Sequence, residues 1–432
     1  MKTILYIIGL LAISYSCNEA SSNHQVKEDS LQYYPPTPKE LDKQEFRYYH
    51  KALSYFFDSL LLKRGFNGSI LVAKDGAIIY EKYAGFADLR KKDSLTDSTA
   101  LHIASTGKTI TAMAALRLVQ ENKLSLDDSL QRFFPSLPYE GITVKMLMNH
   151  RSGLPNYIYF LDADKTYKNE YVTNTDVLDY LVTKKPNRSF RPDSRFSYSN
   201  TNFVLLALII EKVSGKPFGD FMKEKIFDPL QMKDTYVYSL ADTATAVPSF
   251  NYNNSHWQND KMEGTVGDKN IYSTPRDLLK WDQALYTEQF LRKTLLDSAF
   301  TPYSLERPSI HNYGLGWRML LIPNGKKVIY HFGRWHGFNA AFARLIDEKV
   351  TIIILGNKFN RSIYSTASKA YDIFGDYDQR RIGGDDEEET TGLQKIMLSK
   401  FGNETFAQKS SKKSETTEAS LATKPAEIRK AF

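Results

Sequence analysis

The sequence predicts an α+β domain in which one antiparallel sheet is flanked by N- and C-terminal helices and a large helical region is inserted. Three observations carry that expectation. The early stretch "GSILVAKDGAIIYEKYAGFADL" holds two β-rich runs around Asp75-Gly76, a dipeptide suited to a tight hairpin turn. Strand character returns only late, in "KKVIYHF", "NAAFARLI" and "VTIIILGN". Between about 105 and 300 the apolar spacing is mainly helical, with polar loops between. Strands at both ends of a helical middle bury their apolar faces together only by pairing across that middle.

The elements follow in order. Residues 1–17 carry a basic Lys2, an apolar run from Ile4 to Ile13 too short to span a membrane, then small residues and Cys17. This is the layout of a secretory signal. Cys17 is the only cysteine among 432 residues, and it stands where a bacterial lipoprotein signal places the cysteine that takes lipid. The expectation is an exported protein without a disulfide, held to an envelope membrane, periplasmic or outer, through Cys17. Plain cleavage after Ser16 is the alternative.

Residues 18–44 are polar and contain "YYPPTPKE", which reads as a Pro-containing tether. The folded domain is expected over 45–375. It opens with the helical spacing of "EFRYYHKALSYFFDSLLLKR" and closes with "RSIYSTASKAYDIF" as a helix. From 376 to 432 the composition turns charged and Ser/Thr-rich, and a disordered tail is expected. The net charge of +7 is modest and the basic residues are scattered, which argues against a nucleic-acid partner.

In "HIASTGKTITAMAALRLV", Ser105 stands three residues before Lys108, where a long apolar run begins. A serine N-cap followed by a solvated lysine is the plain alternative, and the same spacing recurs at Ser410 and Lys413. Context separates the two. Arg117 is the only charged residue between Thr109 and Val119, so this helix should be buried nearly all round. A cation gains little in the first turn of such a helix, where dipole and desolvation both oppose it. A base gains there, because both effects favour the neutral amine. Residues three apart share a helix face, so the amine can reach the Ser105 hydroxyl, and amides at the helix start can hold an oxyanion.

"ASTGK" resembles the Ser-x-x-Lys element of the serine β-lactamase and penicillin-binding-protein superfamily. The flanking text is similar to the branch holding class C β-lactamases, D,D-peptidases and β-lactamase-like esterases, over roughly residues 50 to 360. It includes the early hairpin, "LVQENKLSLDDSLQRFFPSLP" and "ITVKMLMNHRSGLPNY". The resemblance implies a β-lactamase/transpeptidase-like fold and an acyl-enzyme on Ser105 with Lys108 as base. The superfamily's Tyr-x-Asn element is matched at Tyr198 and Asn200 in "RFSYSNTNFVLLALIIEKVSG". The resemblance makes Tyr198 the proton shuttle and Asn200 the amide that holds a substrate carbonyl or the lysine. Tyr167 with Asn169, and Tyr252 with Asn254, match the bare spacing, but only Tyr198 is followed at once by an apolar helix. The third element, Lys-Thr-Gly or His-x-Gly on a strand, is matched by His331, Phe332 and Gly333. By the same resemblance the backbone amides of Ser105 and Arg334 form the oxyanion hole.

No Gly-x-Ser-x-Gly elbow, His-Glu-x-x-His pair, cysteine cluster, phosphate loop or dinucleotide fingerprint is present. No cofactor and no metal is expected; His331 and His336 lie five apart with no adjacent carboxylate, a poor metal pair. The sequence therefore predicts an exported serine hydrolase acting on an ester, a D-amino acid peptide or a β-lactam-type carbonyl. The alternative from another class is a non-hydrolytic penicillin-binding or peptide-sensing protein of the same fold. His331 and Phe332 replace the lysine and threonine that favour a substrate carboxylate, so weak carboxylate recognition is expected.

Overall fold

The computed structural model describes residues 33–377, except residue 166. The signal with Cys17, most of the tether, the Ser410–Lys413 pair and the chain from 378 onward lie outside the described residues.

Helix α1 (Lys43–Leu60) begins where the Asp42 carboxylate accepts from the Gln44 and Glu45 amides. It buries Tyr49, Ala52, Leu53, Phe56 and Phe57, one stripe at helical spacing. Strands β1 (Gly68–Lys74) and β2 (Ala77–Ala84) form the expected hairpin. Asp75 and Gly76 both take positive φ, 50° and 80°, the two-residue turn whose twist suits paired strands.

The inserted region contributes α2 (Gly107–Gln120), α3 (Thr201–Ser214) and α4 (Pro275–Ala284) to the surroundings of the site. The chain then returns as β3 (His311–Tyr313), β4 (Arg318–Leu321), β5 (Lys327–Trp335), β6 (Phe338–Leu345) and β7 (Val350–Gly356), and α5 (Ser362–Lys369) follows. The sheet order is β2-β1-β7-β6-β5-β4-β3, antiparallel at every pairing. Strand β1 pairs with β7, Gly68 opposite Gly356, so the two ends of the domain close on each other.

Strand alternation assigns the two faces. Val328, Tyr330, Ala341, Ala343, Ile352 and Ile354 join the apolar cluster under α1 and α5. Phe332 points the same way and stacks on Tyr364 of α5, with ring centroids 5.4 Å apart. His331 and Gly333 are left for the opposite face. On that face Asp282 of α4 accepts from Arg344 Nε of β6 and Thr351 Oγ1 of β7, both at 2.5 Å.

Both expected domain boundaries shift outward. Tyr33, placed in the tether, is buried, and the Tyr34 and Lys39 amides donate to Gln289 Oε1 and the Asp75 carbonyl. An aromatic ring and free backbone amides let this Pro-containing segment add to the body. Tyr377, placed in the tail, is fully buried and donates to the Glu348 carboxylate. Strands β3 and β4 were not foreseen, nor was a small sheet of Leu101–His102, Ile271–Ser273 and Tyr236–Val237. Each of these strands spans two to four residues, too few to display an alternating pattern. Among the described residues no helix is long and apolar enough to cross a membrane.

Arg344 is 1% exposed and its charge depends on Asp282. Asp282→Ala leaves that guanidinium buried without its anion, a class of change that costs about 3 to 5 kcal/mol. Urea unfolding of the variant should show a loss of that size; a loss under about 1 kcal/mol would mean that water reaches Arg344.

Candidate active site

Ser105 lies in the turn Ala104–Thr106 that leads directly into α2. Ala104 takes φ 49°, a left-handed conformation that costs an alanine about 1 to 2 kcal/mol. The surroundings hold it there. Its amide donates to His102 Nδ1 at 3.0 Å, and His102 Nε2 donates to Asn270 Oδ1 at 2.9 Å. His102 is packed between the rings of Tyr272 and Phe338, and burial pushes its pKa down to about 4. A neutral ring with a free acceptor nitrogen is what the Ala104 amide requires.

Lys108 is completely buried, as the apolar text of α2 implies. Its Nζ lies 3.1 Å from Ser105 Oγ and donates to Asn200 Oδ1 at 2.8 Å and to the Asp268 carbonyl. Asn200 stands at the start of α3 but does not cap it; its amide is turned to the lysine instead. The Tyr198 ring centroid is 5.1 Å from Lys108 Nζ. The Tyr198 hydroxyl is buried and has no hydrogen-bond partner among the described residues, a rare state for such a group. The rival pairs do not reach this centre: Tyr252 is 75% exposed, and Asn169 donates to Asp176.

His150 is the site residue to which the sequence gave no task. Its ring lies 4.3 Å from the Tyr198 ring, and its carbonyl accepts from the Ser197 amide at 2.9 Å. Nδ1 accepts from the Ser199 amide and from Asn202 Nδ2. Burial, and next the charge of Lys108, hold this imidazole well below its ordinary pKa. The loop thus clamps the Tyr198 turn through backbone and ring together. The signal was the stretch "NHRSGLPNY" itself, but its partners lie some fifty residues away.

Strand β5 runs beside the Ser105 turn. A Cβ on Gly333 would come within 2.3 Å of the Ile103 carbonyl and 2.9 Å of the Ser105 nitrogen, so only glycine permits this approach. Strand β4 pairs with β5 only over Lys327–Tyr330, which leaves the edge from His331 to Trp335 without a strand partner on that side. Arg334 follows with its side chain exposed.

His331 differs from its expected electrostatics. A solvated histidine in place of the motif's lysine would be partly cationic near neutrality; burial, then Arg318 and Lys108, hold this one well below its ordinary pKa. Its Nδ1 donates to the Phe332 carbonyl at 2.8 Å, and its Nε2 accepts from the Tyr313 hydroxyl at 3.1 Å. Both nitrogens are therefore used by the protein. His336 differs too. No carboxylate adjoins it in sequence, yet the fold brings Glu263 and Asp260 to it, with ligand atoms all within 4.8 Å of one another. Glu263 is already engaged there, by His336 Nε2 at 2.7 Å and Trp335 Nε1 at 3.0 Å.

A buried lysine between a helix-start serine and a Tyr-x-Asn turn, on a seven-stranded antiparallel sheet, defines the serine hydrolases of β-lactamase and penicillin-binding-protein type. The chain belongs to this family: residues 61–370 match the family model described as Beta-lactamase. It is 33% identical to penicillin-binding protein 4* of Bacillus subtilis over 335 residues, 73% of this chain and 74% of that protein. It is 28% identical to a D-aminopeptidase of Brucella anthropi over 303 residues, 68% of this chain and 56% of that one. Among solved structures, the D-amino acid amidase of Ochrobactrum anthropi SV3 superposes with a TM-score of 0.62 at 24% identity, covering 75% of this chain and 96% of the amidase.

The buried neutral histidines make the fold acid-sensitive. A histidine whose folded pKa is depressed binds its proton in the unfolded chain first, so stability is full above about 6.5 and falls as pH drops below that value. For His102 the fall continues to about pH 4 and reaches about 2 kcal/mol by pH 5. His150 and His331 add to it in the same direction. Urea unfolding at pH 7.5 and pH 5 checks this; equal stabilities would mean that these rings are charged in the fold.

Proposed function

We propose that this chain hydrolyses an amide or ester carbonyl through an acyl-enzyme on Ser105, with a peptide or amide of a D-amino acid as its substrate class. The observation that carries the reading is the surroundings of Lys108 Nζ. Two of its neighbours, Asn200 Oδ1 and the Asp268 carbonyl, are oxygens that only accept. They take two N–H bonds, and the remaining direction faces the Ser105 hydroxyl at 3.1 Å. In its neutral form, an amine held this way would present its lone pair to the proton that Ser105 must lose.

Ser105 Oγ bonds the substrate carbonyl carbon as its proton passes to Lys108. The carbonyl oxygen, now negative, is received by the Ser105 and Arg334 amides. Tyr198 gives its proton to the leaving nitrogen or oxygen as that bond breaks, and takes one back from Lys108. Water then attacks the acyl carbon with the same groups acting in reverse, releasing the acid and free Ser105. Asn200 keeps the lysine aimed. His331 ties β5 to the Ser105 turn, its carbonyl accepting from Thr106 Oγ1 at 3.2 Å, and Gly333 leaves the open edge for substrate backbone. The D-amino acid preference is supported by the D-aminopeptidase of Brucella anthropi, and the penicillin-binding relative supports acylation at this site. The latter's name also favours a second reading, in which the acyl-enzyme forms and does not turn over.

A fluorophosphonate should label Ser105, and Ser105→Ala should abolish labelling and turnover of D-alanine p-nitroanilide while changing stability by less than about 1 kcal/mol. Tyr198→Phe keeps the ring and removes the proton, so kcat should fall by about a hundredfold or more. Turnover that survives Ser105→Ala would end the proposal. A stoichiometric burst without steady-state release would select the second reading.

The N-terminal signal supports a further part of the proposal: an exported protein lipidated at Cys17, on the periplasmic or outer-membrane side of a bacterial envelope. Mass spectrometry of the mature N-terminus should find a diacylglyceryl-type mass on Cys17. An unmodified Cys17 would leave a soluble exported protein.

A further inference from the structure

We propose that Lys269 is the fixed counter-ion of the Asp268 carboxylate, and that by compensating this charge it leaves Lys108 free to stand as a neutral base. The inference rests on the hydrolase reading above and adds to it a positioning residue that acts on Lys108 through charge.

Two buried lysines meet at one residue. The Asp268 carbonyl accepts from Lys108 Nζ, whereas the Asp268 carboxylate pairs with Lys269, Nζ to Oδ2 at 3.7 Å. The Lys269 side chain is 3% exposed and that of Asp268 1%. Tyr157 bridges the pair: Lys269 Nζ donates to its hydroxyl at 2.6 Å, and that hydroxyl donates to Asp268 Oδ2 at 3.0 Å. Lys269 also donates to Thr265 Oγ1. The adjoining backbone is pinned between two helices. Gly267 takes φ 91°, where a Cβ would lie 2.5 Å from the Phe203 carbonyl oxygen of α3, and its own carbonyl accepts from Thr111 Oγ1 of α2 at 2.9 Å.

The partners of the two amines differ in kind. Those of Lys108 are uncharged: a hydroxyl, a side-chain amide oxygen and a backbone carbonyl. Lys269 has the carboxylate, and its Nζ lies 4.6 Å from the Trp335 ring centroid and 5.4 Å from that of Tyr157, surroundings that favour an ammonium. Burial lowers the Lys269 pKa most, Asp268 is the charge that most raises it, and Lys108 lowers it further, so the two amines feel each other. Other charges do not take over these parts. Glu263 is bonded by His336 and Trp335, with Asp260 beside that histidine. Tyr198, His150, His331 and Arg318, the other titratable groups about Lys108 and its tyrosine, bring no carboxylate. Asp268 Oδ1 is buried without a hydrogen-bond partner among the described residues, so Tyr157 and Lys269 carry the compensation of this group. Without Lys269, an uncompensated carboxylate next to Lys108 would hold that amine in its charged form. A lysine kept charged cannot take the proton of Ser105.

The test follows the rate of fluorophosphonate labelling of Ser105 against pH, where the rise from the acid side reports loss of the proton from Lys108. Lys269→Met should move that rise to higher pH by about one unit or more, a loss of about tenfold in rate on the limb. Asp268→Asn, which leaves Lys269 unpaired, should move it to lower pH, and the double variant should return it to the wild-type position. A purely structural role would lower the rate without moving the limb, and that result overturns the proposal. Two single variants that shift in the same direction, or a double variant whose limb stays displaced, also overturn it. The sign of the shift in either single variant decides alone, so one that does not fold is replaced by the other. If wild-type Ser105 is not labelled, the hydrolase reading fails by itself. The titration of Lys108 is then followed directly in protein carrying lysine labelled with 13C at Cε, its resonance assigned by loss in Lys108→Met. The same opposite shifts support the proposal, and their absence overturns it.

Discussion

The arrangement depends on one constraint: a lysine with no solvent exposure must have its nitrogen satisfied from inside the protein. No single segment can do that for Lys108. Ser105 comes from its own helix start, Asn200 from the start of α3, and the third oxygen around the nitrogen from the backbone at Asp268. Two of these partners lie 92 and 160 residues away in sequence, so the helical insert folds correctly only when it converges on one atom. The close approach of β5 follows from the same convergence. With the serine turn fixed by its lysine, Gly333 can lie against it only because it carries no Cβ. A site assembled this way is held by the fold rather than by a flexible loop, which is what preorganised electrostatics require.

Three buried imidazoles around this centre act as uncharged hydrogen-bonding pieces. His102 accepts the amide of strained Ala104, His150 accepts amides at the Tyr198 turn, and His331 joins Tyr313 to its own strand. Each offers one ring nitrogen as an acceptor, and a protonated ring would lose it. Their neutrality also keeps added positive charge away from Lys108, whose proposed task is to take up a proton. The cost is borne at low pH, where the unfolded chain offers these rings water and a proton. The geometry of the site and its acid sensitivity thus have one origin.

The parts of the fold legible in the sequence are those whose information is local. The Asp75-Gly76 turn, the long runs of β5, β6 and β7, and the apolar stripe of α1 each declare themselves within ten or twenty residues. Ser105 and Lys108 are legible for the same reason, since their contact is one helical turn. Tyr198 and Asn200 needed resemblance, because Tyr167 and Tyr252 have the same bare spacing and only tertiary contact separates them. What stayed hidden is long-range: Glu263 beside His336, Asp282 beneath Arg344, and His150 stacked on Tyr198 are pairings that no local period encodes. The tether misled for a compositional reason. Prolines and charges suggest solvent, yet one buried ring, Tyr33, and two backbone donors suffice to lay the segment on the body.

The substitution of His331 and Phe332 for lysine and threonine shows why a motif position and a chemical task are separable. At this place in the strand, alternation lets only one of two neighbouring side chains face the cleft, and here it is the imidazole. Once that imidazole is buried and neutral, the motif position keeps its place in the strand without offering a charge. Strand β5 continues beyond its last pairing with β4, at Tyr330 opposite Arg318, and its edge beyond that point has no partner from β4. Arg318, the first residue of β4, lies over the Tyr198 ring, 5.2 Å from its centroid. The residues at a motif's positions can therefore change while the arrangement of Ser105, Lys108 and Asn200 is kept, because other contacts hold that arrangement.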